Sequence, residues 1–139
     1  AFVPVKPVNV PITEMGWEVY PDGLPEILTA LNEKYSLPPV YITENGAALP
    51  DTLKDCEVDD PERGYYFQDH LEAVNQSIEK GVDIWGYFAW SLMDNFEWAE
   101  GYRKRFGLVH VDFETQRRTI KASGKAFGEF LARRRAEAA

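Results

Sequence analysis

The chain has 139 residues, of which 45% are hydrophobic and 27% are charged, and its formal net charge is −8. These values are typical of a globular protein rather than a disordered one. The acidic balance argues against nucleic acid or an anionic membrane surface as a partner, because both require basic patches. No apolar run approaches the ~20 residues that cross a bilayer. The single cysteine, Cys56, permits no internal disulfide and fits a cytoplasmic location.

The first predicted elements are an extended segment, a helix and a strand. Prolines at positions 4, 7 and 11 favour an extended path for residues 1–20. Apolar side chains then recur at helical spacing, at Leu24, Ile27, Leu28, Leu31 and Tyr35. The run Val40 to Ile42 has the residue types of a buried parallel strand.

A carboxylate ends this strand, in the sequence Thr43-Glu44-Asn45-Gly46. We expect Asn45-Gly46 to form a turn, since both residues tolerate positive φ. An isolated Glu would more often be a surface residue. A carboxylate at the last position of a barrel strand, however, is where α/β barrels place catalytic groups. Glu44 is therefore a candidate catalytic residue.

A second strand-helix unit is predicted after a polar loop over residues 46–58. Asp60 and Pro61 fit the N-cap and the first turn of a helix that continues to about Lys80. Strand-like runs follow at 83–89 and 107–113, then a hairpin arm at 117–120 and a last helix capped by Ser123 or a neighbour. Alternation of strands and helices indicates βα units and a parallel sheet. Two parallel strands cannot close a sheet, so their faces need cover that this chain does not supply.

Aromatic and acidic residues are concentrated after the second strand, in the string Trp90-Ser-Leu-Met-Asp-Asn-Phe-Glu-Trp98. We assign Trp90 and Trp98 to ligand stacking. Glu97 beside Trp98 suggests recognition of sugar hydroxyls, with the indole N–H as donor and the carboxylate as acceptor. Asp94 and Asn95 fit turn chemistry as well as they fit ligand contact. Phe106 fits either a pocket rim or the start of the next strand. The strand residues Trp85, Tyr87 and Phe88 are assigned to packing.

Glycoside cleavage is the chemistry that this pattern favours, because it needs two carboxyl groups beside the scissile bond. Glu44 is the candidate for the attacking group. Asp94 and Glu97 are the options within the chain for its partner, but neither is favoured as the acid in a loop so rich in sugar-type aromatics. His70 and His110 belong to no metal-binding spacing, and no nucleotide-binding or serine-hydrolase motif occurs. The sequence therefore predicts neither a metal nor another cofactor.

Three strings, at residues 41–46, 86–102 and 104–108, resemble the C-terminal part of family 1 glycoside hydrolases of the bacterial β-glucosidase type. The resemblance covers essentially the whole chain. It implies an α/β fold in which residues 1–139 form one part of a single (β/α)₈ TIM barrel, namely strands seven and eight with their helices. It also implies that Glu44 is the nucleophile of a retaining mechanism. The implied sugar-binding residues are Trp90, Glu97, Trp98 and Phe106.

The chain also departs from that family's pattern. The family's acid/base glutamate lies in an Asn-Glu-Pro string, which this sequence does not contain, and the sugar-binding residues of the early strands are absent too. We therefore expect a fragment whose partners are a β-glucoside or cello-oligosaccharide substrate and the N-terminal remainder of the barrel. The alternatives are a non-catalytic sugar-binding or regulatory half-barrel, a transglycosidase and a phospho-sugar hydrolase. The carboxylate of Glu97 argues against the last, because it would repel phosphate.

Overall fold

The computed structural model describes residues 9–137. Within them the helices are α1 (Gly23–Tyr35), α2 (Pro61–Glu79) and α3 (Ala122–Glu137). The strands are β1 (Val40–Asn45), β2 (Leu53–Lys54), β3 (Glu57–Val58), β4 (Ile84–Ala89), β5 (Val109–Val111) and β6 (Arg118–Ile120). A short 3₁₀ helix spans Trp98–Glu100. The predicted order of the longer elements is confirmed with one addition. The segment predicted as a polar loop contains the β2–β3 hairpin, and it buries Ala47, Ala48 and Leu49 beside it.

The two longer strands, β1 and β4, pair in parallel through the register Val40–Ile84, Tyr41–Gly86, Ile42–Tyr87 and Asn45–Ala89. The chain between them passes through α2, which makes the three elements a βαβ unit. Within residues 9–137 no third strand joins this sheet. The remaining strands form two small antiparallel hairpins, β2–β3 and β5–β6.

Both helix caps predicted from acidic or hydroxyl side chains differ in detail. Asp60 occupies the N-cap of α2, as predicted, but its carboxylate makes no capping hydrogen bond. Instead it accepts hydrogen bonds from the backbone N–H and the hydroxyl of Ser123, at 2.8 and 2.6 Å. Helix α3 begins at Ala122, so Ser123 lies in its first turn. These two residues join the starts of α2 and α3.

The core lies between the β1–β4 pair and the helices α2 and α3. Phe127 of α3 packs on Phe67 of α2, with ring centroids 5.5 Å apart, and on Tyr87 of β4, at 6.4 Å. The packing predicted for Tyr87 is therefore confirmed. Trp85 and Phe88 are 64% and 56% exposed, so residues 9–137 do not supply the packing predicted for them, and that packing stays a prediction. Helices cover the sheet incompletely, and apolar strand surface stays open.

No helix in this part of the chain has the length and apolar character needed to cross a membrane.

Candidate active site

Glu44 and the loop that follows β4 leave the sheet at the same edge. Asn45, next to Glu44, is paired with Ala89 at the end of β4. The backbone N–H of Trp90 then donates to the carbonyl oxygen of Asn45 at 2.8 Å. The side chain of Glu44 is exposed, and that of Trp90 is half-buried. The parallel pairing thus brings together the predicted catalytic carboxylate and one of the predicted stacking indoles.

Gly46 is required for a reason that the sequence did not indicate. Neither Asn45 nor Gly46 has a positive φ, so the predicted turn chemistry is wrong, and Asn45 is the last residue of β1. A Cβ atom built on Gly46 would lie 1.7 Å from the carbonyl oxygen of Trp90. Only glycine allows the two backbones to approach so closely. The close approach sets the separation between the end of β1 and the start of the next loop.

The loop 90–101 is held by hydrogen bonds between its own residues. The hydroxyl of Ser91 donates to the carbonyl oxygen of Met93 at 2.8 Å and contacts Asn95 Oδ1 at 3.2 Å. Asn95 Nδ2 in turn donates to Glu97 Oε2 at 3.3 Å. The backbone N–H of Glu97 bonds to the carbonyl oxygen of Gly101 at 2.7 Å. The carboxylate of Glu97 therefore has a fixed neighbour within the loop.

The exposure of the predicted sugar-binding residues is uneven. Trp98 is 83% exposed, and Glu97 is half-buried. Phe106 is only 3% exposed, and its carbonyl oxygen accepts a hydrogen bond from the backbone N–H of Ser91 at 3.2 Å. Trp98 is thus open to a ligand in this chain, whereas Phe106 belongs to the packed interior beneath the loop. A role for Phe106 in lining the sugar pocket stays a prediction.

Asp94 anchors the loop from inside and is only 4% exposed. Its carboxylate accepts hydrogen bonds from Lys121 Nζ at 2.9 Å and from Arg105 Nη1 at 2.6 Å. The backbone N–H groups of Gly107 and Val111 add two more, at 3.0 and 3.2 Å. Burial acts to raise the pKa of Asp94, but the Lys121 charge and the hydrogen bonds from Lys121, Arg105 and Val111 hold it below its usual value. An acid with a lowered pKa is a poor proton donor near neutral pH, which leaves Asp94 a structural role.

Asp94 is one member of a larger group that we call the buried ion cluster, consisting of Asp51, Asp60, Arg63, Asp94, Arg105 and Lys121. The guanidinium of Arg63 is fully buried and pairs with Asp51, at 2.8 Å, and with Asp60. It also donates to the carbonyl oxygens of Leu49 and Arg105. Lys121 joins Asp51 to Asp94. The cluster therefore connects the segment after β1, the start of α2, the loop 90–101 and the start of α3.

Sequence reasoning missed this cluster almost entirely. The i, i+3 spacing of Asp60 and Arg63 was the only local signal of a pair. The other pairs join residues far apart in the chain, such as Lys121 and Asp94, which are separated by 27 positions. Asp94 itself was left open between turn chemistry and substrate contact, and the structure resolves it as an anchor of the loop.

The side chain of Asn45 contacts a tyrosine on the neighbouring strand β4. Asn45 Oδ1 accepts a hydrogen bond from the hydroxyl of Tyr87 at 2.7 Å. Burial raises the pKa of Tyr87, so its hydroxyl stays a donor. Burial also raises the pKa of Tyr66 on α2. The ring of Tyr66 stacks on His70 at 3.9 Å between centroids, which fixes the tyrosine on its helix.

Known proteins resemble the chain in both sequence and structure. The family model "Glycosyl hydrolase family 1" matches residues 3–136. A β-glucosidase of Agrobacterium sp. is 52% identical over 125 residues, which are 90% of this chain and 27% of that protein. A 6-phospho-β-galactosidase 1 of Streptococcus pneumoniae is 46% identical over 123 residues, or 86% of this chain and 26% of that protein. The chain thus spans about a quarter of the length of these relatives.

Among solved structures, the psychrophilic β-glucosidase BglU of Micrococcus antarcticus superimposes with a TM-score of 0.88 at 55% sequence identity. The match covers 91% of this chain and 27% of that one. The prediction of a partial (β/α)₈ barrel is therefore confirmed. The resemblance inferred from the strings around Glu44 and Trp90 is confirmed by the family match. The chain belongs to glycosyl hydrolase family 1.

Proposed function

We propose that the chain is the C-terminal part of a retaining β-glucosidase and that Glu44 is its nucleophile. A carboxylate oxygen of Glu44 bonds to the anomeric carbon of a terminal β-glucosyl residue as the bond to the leaving oxygen breaks. A glutamic acid from the rest of the barrel gives its proton to that oxygen. It then takes a proton from water, which attacks the same carbon and releases Glu44. The two carboxyl groups of such a site lie about 5–5.5 Å apart.

The observation that carries this proposal is the shared sheet edge of Glu44 and Trp90. In α/β barrels, catalytic groups lie at the carboxyl ends of the strands. The 2.8 Å hydrogen bond between Trp90 and Asn45 places the start of the loop 90–101 beside the end of β1. An indole and a carboxylate at this edge supply one stacking surface and one nucleophile for a sugar ring.

The remaining pocket residues follow from the same loop. Glu97 accepts hydrogen bonds from glucose hydroxyls, and Trp98 donates one through its indole N–H. The bond from Asn95 holds the Glu97 carboxylate in place before the substrate binds, so its orientation requires little ordering. Trp90 stacks on the ring, and Phe106 supports the wall beneath it.

The substrates of the proposed enzyme are β-glucosides and cello-oligosaccharides, and its necessary partner is the N-terminal remainder of the barrel. Support for that partner comes from the open strand surface at Tyr41, Trp85 and Phe88, each more than half exposed. Additional barrel strands and side chains would cover it. A cytoplasmic location, which we predicted from the single cysteine, stays a prediction.

The test uses the assembled barrel, meaning this chain together with the remainder of its polypeptide or with the N-terminal portion of the Micrococcus antarcticus relative. We expect Glu44→Gly to abolish hydrolysis of an aryl β-glucoside, because no nucleophile remains. Added azide should restore turnover by attacking from the vacated side, giving an α-glucosyl azide. The control is Glu114→Gly, which removes an exposed carboxylate from the β5–β6 turn and should leave activity unchanged. Hydrolysis by the Glu44→Gly barrel without azide would remove Glu44 from its role.

A phospho-sugar hydrolase is the second candidate, since one relative is named a 6-phospho-β-galactosidase. The Glu97 carboxylate opposes it, because a fixed negative charge repels a phosphate group. We expect the assembled barrel to hydrolyse an aryl β-glucoside faster than its 6-phosphate. The reverse preference would overturn the glucosidase proposal and leave the role of Glu44 intact. If the barrel binds glucose without cleaving either substrate, the non-catalytic alternative is the better description.

A further inference from the structure

We infer that Asn45 is a positioning residue that fixes the direction of the Glu44 carboxylate from the helix side of the sheet. The inference rests on the proposed role of Glu44. It concerns a contact that lies outside the sugar pocket: the hydrogen bond that the Asn45 side chain accepts from the Tyr87 hydroxyl at 2.7 Å.

The first step is the direction of the two side chains. Successive residues of a strand point to opposite faces of the sheet. Asn45 shares its face with Tyr87, whose ring packs on Phe127 of α3, so that face is the one covered by helices. Glu44 is exposed whereas Asn45 is half-buried, and this difference assigns Glu44 to the opposite, open face. Fixing Asn45 on the helix side therefore turns Glu44 toward the open side.

The second step is the rigidity of the anchor. The main chain of Asn45 is held by the 2.8 Å bond from the Trp90 N–H, and its side chain by the Tyr87 hydroxyl. The residue after Glu44 is thus tied to β4 and to the loop 90–101.

The third step is the need for such an anchor. The register of β1 against β4 is irregular between Ile42 and Asn45, so regular strand pairing does not by itself determine the backbone at Glu44. A nucleophile must approach its carbon in line, and a misplacement of about 1 Å can cost 10²-fold in rate. The hydrogen bond of the Asn45 side chain supplies a fixed contact where the pairing of β1 with β4 is interrupted.

The experiment removes the anchor in the assembled barrel through Asn45→Ala and, separately, through Tyr87→Phe. We expect kcat for an aryl β-glucoside to fall about 10- to 100-fold in Asn45→Ala and by less in Tyr87→Phe. We expect KM to change less than threefold. The rate constant for covalent labelling of Glu44 by a 2-deoxy-2-fluoroglucoside, normalised to the concentration of sites that label, should fall in parallel with kcat. Tyr65→Phe is the matched control, since it removes the same hydroxyl from a tyrosine of α2 that is 65% exposed.

A second measurement separates positioning from general damage to the fold. In the Glu44→Gly barrel, azide takes the place of the carboxylate, so Asn45 has nothing to orient. Adding Asn45→Ala to Glu44→Gly should therefore leave the azide-dependent rate within about twofold. Equal losses in the presence and absence of Glu44 would overturn the positioning role, as would unchanged kcat in Asn45→Ala. Hydrolysis by Glu44→Gly without azide would instead refute the proposed function, so the two failures are distinguishable.

Discussion

Lys121 is the member of the buried ion cluster whose removal gives the sharpest prediction. Its ammonium group lies 2.9 Å from Asp94 Oδ1 and also contacts Asp51 Oδ2, and its side chain is fully buried. The cluster contains three carboxylates and three cationic side chains, so Lys121→Met leaves it with one excess negative charge. Breaking a buried pair by removing one partner costs about 3–5 kcal/mol. We expect the free energy of unfolding to fall by that amount.

The measurement is urea unfolding of the assembled barrel, followed by tryptophan fluorescence and compared at equal pH. The matched control is Lys125→Met, one helical turn later on α3. Lys125 is 58% exposed and lies 3.8 Å from Glu57, so its replacement should change stability by less than about 1 kcal/mol. If the two variants lose the same stability, the buried charge balance is not what holds this region, and the reasoning fails.

The same variant makes a prediction for pH. Burial opposes ionisation of Asp94, but Lys121 and the bonds from Arg105 and Val111 leave its pKa below the usual value. A carboxyl group whose folded pKa is lowered stabilises the protein above its unfolded pKa of about 3.9, and this contribution is lost as pH falls through the folded pKa. Without Lys121 the folded pKa rises, so unfolding by acid should begin at a higher pH than in the parent.

Two further predictions concern close packing and open surface. Gly46→Ala should lower both stability and kcat of the assembled barrel, because its Cβ would lie 1.7 Å from the Trp90 carbonyl oxygen. The control is Gly64→Ala in α2, where a Cβ atom would have no neighbour within 4 Å. It should leave stability and kcat unchanged or stabilise the helix by up to about 1 kcal/mol. Equal behaviour of the two variants in thermal unfolding would contradict the argument. The chain alone should self-associate through the exposed Trp85 and Phe88, and sedimentation as a single monomeric species that unfolds cooperatively would contradict this.

The elements that the sequence predicted well are those set by local patterns. The helix over 23–35 follows from apolar spacing, and α2 begins at Pro61 because proline suits the first turn of a helix. The pairing of β1 with β4 follows from two apolar runs joined by a helix. The position of Glu44 beside the loop of Trp90 is a consequence of that pairing, so the candidate site could be predicted from the same patterns.

What escaped prediction depends on residues distant in the chain. The need for Gly46 arises from the backbone of Trp90, and a local pattern indicates only that glycine suits a turn. Asp60 was predicted as a helix cap from its neighbours, yet its carboxylate bonds to Ser123, 63 positions later. Such contacts become visible only when the sheet has placed the segments side by side.

The buried ion cluster explains how an exposed loop can hold a defined shape. Trp98 is 83% exposed, so packing within the chain contributes little to its position. The loop is instead fixed by Asp94, whose four donors come from the segment 105–111 and from Lys121. A hydrophobic residue at this position could fill the space but could not satisfy the donors, and each unpaired buried donor would cost about 1–3 kcal/mol. The charges therefore act chiefly to select one conformation of the loop that follows β4.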